Sequence, residues 1–202
     1  MLFSGPNRLH VTYQAKGVVG IIAPWNMPLY LSLGPLAAAL AAGNRAMIKP
    51  SEFTPATAEL LVEMIQEAYD DKEVTIFNGG AEVGQAFSAL PFDHMIFTGA
   101  TSIARHILAA ASRNLVPVTL ELGGKSPVVI SRGADLEKSI GRIMLGKTLS
   151  AGQICLAPDY LMVPEEKLQD VIEAVTAKGV KAHFLDQVRI LKLKQENRCR
   201  CR

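Results

Sequence analysis

From Gly17 to Asn44 the chain runs 28 residues without a charged side chain, enough to cross a bilayer if length were the only criterion. Other residues in the stretch forbid that. Pro24, Pro28 and Pro35 interrupt it and Asn26 lies among them; in lipid the prolines would leave backbone unpaired and the asparagine would strand an amide. So apolar a segment has to be buried in protein. Val18 to Ala23 is short, β-branched and hydrophobic throughout, as a strand covered on both faces is, and Pro24 ends it. Leu29 to Ala42 is rich in Leu and Ala and is followed by Gly43 and Asn44, a helix with its stop signal.

The alternation continues. Arg45 to Lys49 reads as a strand. Thr54 then supplies an N-cap and Pro55 a first-turn proline for a helix in which Leu61, Val62, Ile65, Ala68 and Tyr69 recur at helical spacing. Val74 to Phe77 and His94 to Thr98 read as strands with a short helix, Glu82 to Ala89, between them. Ile103 to Asn114 is helical and Val116 to Leu122 is a strand. Such alternation implies right-handed βαβ units on a parallel sheet, an α/β doubly wound fold whose ligands bind at the carboxyl ends of the strands. Residues 1–122 are expected to form this domain. A second begins at 123, with a strand at Ser126 to Ile130, a helix at Leu136 to Ala151, a strand at Tyr160 to Val163 and a helix at Pro164 to Lys178.

Composition narrows the classes. Hydrophobic residues make up 49% of 202 and mean hydropathy is +0.21, which excludes wholesale disorder. The formal charge of +2 is unlike that of a dedicated nucleic-acid binder. It divides unevenly, because residues 181–202 hold seven basic and two acidic side chains. This basic tail lacks the aromatic interleaving of a nucleic-acid module. Cys155, Cys199 and Cys201 form an odd set with one pair too close to bridge, so a reducing, cytoplasmic setting is expected and no disulfide framework. Cys199 and Cys201 alone do not make a metal site.

Four polar clusters interrupt this apolar pattern. Cys155 follows Ser150-Ala151-Gly152-Gln153-Ile154; taken alone, a single cysteine is more often an inert core thiol than a nucleophile. Glu121 interrupts an apolar strand, where burial costs several kcal/mol unless it is paired or poised as a base with a raised pKa. Asn26, between prolines, suits a turn. Lys49-Pro50-Ser51-Glu52 closes a strand with a cation and an anion that could hold a sugar or cap the next helix.

Taken in order, Trp25-Asn26, Lys49-Pro50-Ser51-Glu52, Phe97-Thr98-Gly99, Glu121-Leu122-Gly123-Gly124-Lys125 and Gly152-Gln153-Ile154-Cys155 resemble the aldehyde dehydrogenase superfamily. Leu115 to Thr119, Phe92-Asp93-His94 and Ala157-Pro158-Asp159-Tyr160 are similar to its class 3 and coniferyl aldehyde dehydrogenase branch. The resemblance covers residues 10–178 and implies a Rossmann-like cofactor domain followed by the start of a catalytic domain. It implies Cys155 as nucleophile, Asn26 as an oxyanion-hole donor and Glu121 as the base that activates water. It also implies NAD, with NADP admitted, bound by Trp25, Lys49, Ser51, Glu52, Gly80, Phe97, Thr98 and Gly99, and no metal. The implied substrate is a small aromatic or medium-chain aldehyde, oxidised to the acid.

Ala100, Ala104 and Ile154 depart from the usual serine, glycine and threonine of the family, which implies weaker cofactor binding. The later segments of the catalytic domain and the dimerising segment have no match, although a homodimer is the family rule. Because the resemblance stops where the charge changes sign, residues 179–202 are expected to be disordered or out of frame. Three alternatives remain open: an inactive fragment that at most binds the dinucleotide, a CoA-acylating relative and a nucleic-acid binder. Glu121 argues against the second, since a thiol acceptor needs no water-activating base.

Overall fold

The computed structural model describes residues 10–177 and 189–193, which form two compact units divided after Leu122. The first unit is a five-stranded parallel sheet, with β1 (Val18–Ile22), β2 (Arg45–Lys49), β3 (Val74–Ile76), β4 (His94–Gly99) and β5 (Val118–Leu122). Helices α1 (Pro28–Ala41), α2 (Pro55–Ala68), α3 (Ala81–Ser88) and α4 (Thr101–Ala111) connect them in turn. The strand order β3-β2-β1-β4-β5 shows that the chain steps outward from β1 on one side, then returns to its other side. This reversal is the switch point of a doubly wound sheet.

Side-chain alternation divides the core in two. Val19 and Ile21 of β1, Ala46 and Ile48 of β2 and Val74 of β3 pack with Leu36, Ala39 and Ile65 from α1 and α2. Ile22, Met95 and Phe97 face the other way, onto Phe87, Ala104, Ile107 and Ala111 from α3 and α4. Strands buried on both faces need apolar residues at every position, which is why β1 reads as continuous hydrophobicity. Gly20 is required here, because a Cβ would stand 2.7 Å from the Phe92 ring.

The charge-free stretch is thus β1 followed by α1, and α1, at 14 residues, is about 21 Å long. Among the described residues no helix is long and apolar enough to cross a membrane.

The second unit is a parallel sheet of order β6-β7-β8, with β6 (Ser126–Val129), β7 (Pro158–Pro164) and β8 (Arg189–Leu193). Helices α5 (Leu136–Thr148) and α6 (Leu168–Ala177) supply Ile140, Ile143, Met144, Val171 and Val175 to a core with Ile130, Leu161 and Val163. Pro127 is tolerated in β6 because that strand lies at the sheet edge and its register shifts there.

Four expectations need correction. Thr54 stands before α2, but its hydroxyl donates to the Ser51 carbonyl at 3.4 Å instead of capping the helix. Helix α5 ends at Thr148, not Ala151, because Ser150 and Ala151 turn left-handed. Glu121 is exposed, not buried: β5 is the edge strand, and its outward positions Thr119 and Glu121 lie beyond the cover of α1 and α2. Finally, the tail supplies β8, which pairs parallel with β7 from Tyr160↔Arg189 to Pro164↔Leu193. Its other residues, with Cys199 and Cys201, lie outside the described residues.

Candidate active site

In a parallel sheet every strand ends on the same edge, so the residues that follow β1 to β5 are brought into one row. In sheet order the row reads Gly80 after β3, Lys49 to Glu52 at the end of β2, Trp25 and Asn26 after β1, Thr98 and Gly99 ending β4, and Glu121 in β5. Five strands at about 4.8 Å spacing give this edge a length of about 19 Å. Asn26 and Gly99 flank the crevice between β1 and β4, and Thr98 is directly paired with Glu121 across the ladder.

Lys49 is buried at 3% exposure, and its ammonium donates to Glu52 Oε2 at 2.6 Å. Burial pushes the Glu52 carboxyl up, but the Lys49 hydrogen bond, a backbone hydrogen bond and the Lys49 charge outweigh it and hold it below the ordinary 4.5. The carboxylate therefore stays ionised at the mouth of the edge. Ser51 is also buried, and its Oγ accepts from the Phe53 N–H at 3.3 Å.

The glycines of this edge have steric reasons. A Cβ on Gly99 would stand 2.6 Å from the Phe97 ring, which is buried in the core, so Phe97 offers a ligand only its backbone. Gly80 leads into α3, and its N–H donates to Glu82 Oε1 at 3.2 Å. After Gly99, Ala100 precedes α4 and makes no side-chain cap, leaving the first N–H groups of an 11-residue helix facing the edge. Such a terminus favours an anion. Ala104 is buried beneath it. Trp25 is half exposed and Asn26 partly buried.

Cys155 belongs to the second unit and is exposed, between the end of α5 and β7. The approach to it is strained. Ser150 (φ 50°), Ala151 (φ 54°) and Gly152 (φ 77°) are left-handed in succession, and for the two non-glycine residues this costs about 1–3 kcal/mol each. Gln153 N–H closes the turn onto the Ser150 carbonyl at 3.1 Å, and Ala157 N–H bonds Ile154 at 3.0 Å. Beside the following strand, Lys125 pairs with Asp159 at 3.0 Å.

Lys147, in the last turn of α5, was not singled out from the sequence. It is 6% exposed and packs on Gly152, where a Cβ would stand 3.2 Å from the Lys147 carbonyl oxygen and 3.9 Å from its Nζ. The signal was there to read: Lys147 follows Ile140, Ile143 and Met144 at helical spacing on their apolar face. No cluster of His, Cys, Asp or Glu among the described residues could hold a metal.

Known proteins resemble the chain in sequence and in fold. It is 58% identical over 166 residues to the coniferyl aldehyde dehydrogenase of Pseudomonas sp. strain HR199, covering 82% of this chain and 34% of that one. It superposes on a substrate-bound Staphylococcus aureus AldH with TM-score 0.79 and 44% identity, over 82% of this chain and 36% of that one. An NAD+ complex of a Mycobacterium tuberculosis aldehyde dehydrogenase gives TM-score 0.75 and 36% identity, over 81% and 34%. The chain thus spans about a third of the length of the relatives it matches. The sequence profile described as "Aldehyde dehydrogenase family" matches residues 4–189, so the resemblance runs past 178, where the tail was expected to depart from it. With that match over most of its length, the chain belongs to the aldehyde dehydrogenase family.

Proposed function

We propose that this chain carries the dinucleotide-binding edge and the nucleophile segment of an NAD(P)-dependent aldehyde dehydrogenase acting on aromatic, coniferyl-like aldehydes. The observation that carries the reading is the gathering of Asn26, Lys49, Glu52, Gly80 and Gly99 on one carboxyl edge, around the β1/β4 switch point. The residues there suit a dinucleotide. The open N-terminus of α4 suits a pyrophosphate. The ionised Glu52 carboxylate, held by Lys49, suits ribose hydroxyls and disfavours a 2′-phosphate, which leans the reading to NAD.

In this reading the Cys155 thiolate adds to the aldehyde carbon, forming a C–S bond and an alkoxide. The Asn26 amide and the Cys155 backbone N–H donate to that oxygen. A dinucleotide held along this edge by Lys49, Glu52 and Gly99 would supply the hydride acceptor that takes the carbon to the oxidation level of a thioester. Glu121 then takes a proton from water, whose oxygen attacks the acyl carbon; the C–S bond breaks and the acid leaves. Trp25, Ser51, Gly80, Phe97 and Thr98 line the cofactor path, Phe97 through its backbone.

The exposure of Glu121 and Cys155 favours a second reading, a chain that binds the dinucleotide without turning over. NADH formation from NAD and coniferyl aldehyde, measured beside Cys155→Ser, decides between them. Turnover lost in the variant supports the enzyme, and saturable NAD binding without NADH supports the second reading. Absence of both overturns the two together.

A further inference from the structure

The proposed chemistry leaves Lys147 without a task, yet the residue is placed at considerable cost. It is 6% exposed, and among the described residues its ammonium makes no hydrogen bond or ion pair. No fully enclosed polar atom there lacks a partner, so the ammonium keeps some contact with solvent at its tip. That tip lies against Gly152, the third left-handed residue of the turn that delivers Cys155. A nearly buried cation without a counter-charge is unfavourable unless an anion comes to it. From Gly152 to Cys155 the chain runs only three residues, about 11 Å at full extension, and the bonds Gln153 to Ser150 and Ala157 to Ile154 fold it shorter.

We propose that Lys147 is a positioning residue for the nucleophile, bracing the left-handed turn from Ser150 to Gly152 and presenting its ammonium as counter-charge to the anion that forms at Cys155. The inference rests on the reading of Cys155 as the nucleophile. Two features support the bracing role. Gly152 and Lys147 fit so closely that a Cβ would meet the Lys147 carbonyl at 3.2 Å. Ser150 and Ala151 hold conformations that persist only where neighbours over-determine them. The position of Lys147 in the last turn of α5 also gives a purely structural account, a cation at the negative end of a helix, and the test separates the two.

The full chain is alkylated with neutral iodoacetamide and, separately, with anionic iodoacetate, and the peptide bearing Cys155 is quantified by mass spectrometry. A cation beside the thiolate raises the iodoacetate rate relative to the iodoacetamide rate. In Lys147→Met that ratio falls about threefold or more, and in Lys147→Arg it stays near the native value. In the unaltered protein the ratio falls as salt is raised, a readout that needs no variant to fold. A helix-capping role shifts both rates together, so an unchanged ratio in Lys147→Met, or a native ratio insensitive to salt, overturns the proposal. If native Cys155 reacts no faster than a free thiol with either reagent, the nucleophile reading and this inference fail together, whereas a reactive Cys155 with an unchanged ratio removes only the role of Lys147.

Discussion

The two edges of the first sheet both carry paired polar groups, and they differ in what they leave open to a ligand. At the amino edge the polar groups satisfy one another. Asn44 Oδ1 accepts from the Lys16 and Gly17 N–H groups at 2.7 and 3.1 Å, and its Nδ2 donates to Ala39 at 3.1 Å. Asp93 accepts from Val18 at 2.7 Å, and the His94 ring meets Thr119 Oγ1 at 2.9 Å. A groove of about 200 Å³ lies there, lined by Lys16, Val19, Pro35, Ala39, His94 and Ile96 among others. At the carboxyl edge the turns are built from Gly79, Gly80 and Gly99, and α4 begins without a side-chain cap. An edge that closes itself holds the sheet together, and one that leaves donors open suits a ligand.

That contrast predicts where substitutions act. Asn44→Ala removes three hydrogen bonds at the closed edge and should cost about 2–4 kcal/mol in urea unfolding. NAD affinity measured on the folded fraction should not change; a loss of affinity would break the division of labour between the edges. Gly99→Ala drives a methyl into the Phe97 ring, an overpacking worth about 1–3 kcal/mol, and should weaken NAD binding as the turn before α4 shifts. Calorimetric titration that finds native affinity in this variant would remove the turn from the proposed site.

Glu52→Gln should reduce NAD affinity by about tenfold, the loss of one charge-assisted hydrogen bond. Its pH dependence has a definite sign. The folded pKa of Glu52 lies below the ordinary 4.5, so its contribution to stability is present above about that pH and is lost as pH falls through the folded value. The variant should therefore show a flatter acid limb in a Tm against pH series. The smallest effect belongs to the closed edge. Burial, and then the Lys16 charge, hold His94 below its ordinary 6.5, so stability falls as pH drops below that value. His94→Gln should flatten this slope between pH 7 and 5 while leaving NAD affinity alone.

Much of this arrangement is written in local pattern, and the exceptions have physical causes. Strands buried on both faces, such as Val18–Ile22 and the Ala46–Ile48 centre of β2, are legible because burial demands unbroken apolarity, and their Pro, Gly and Asn boundaries are equally local. Exposure at Glu121 was not legible, because it depends on how far α1 and α2 extend across the sheet. The end of α5 was misjudged because Ser150 and Ala151 are left-handed without being glycine, and residue type gives no notice of such strain. Lys147 escaped because a single lysine between Gly146 and Thr148 draws no attention until its helical face is counted. The strand Arg189–Leu193 takes its place from pairing with β7, a long-range interaction in a stretch whose composition suggested none.

The most direct test of the proposed dinucleotide edge is NAD titration followed by backbone amide NMR. The account predicts saturable shifts at Trp25 and Asn26, Ser51 and Glu52, Gly80, and Gly99 to Ser102, with the amides of Lys16, Asn44 and His94 unmoved. Saturable shifts confined to the amino edge, or no saturable shift at any concentration of NAD, would contradict it.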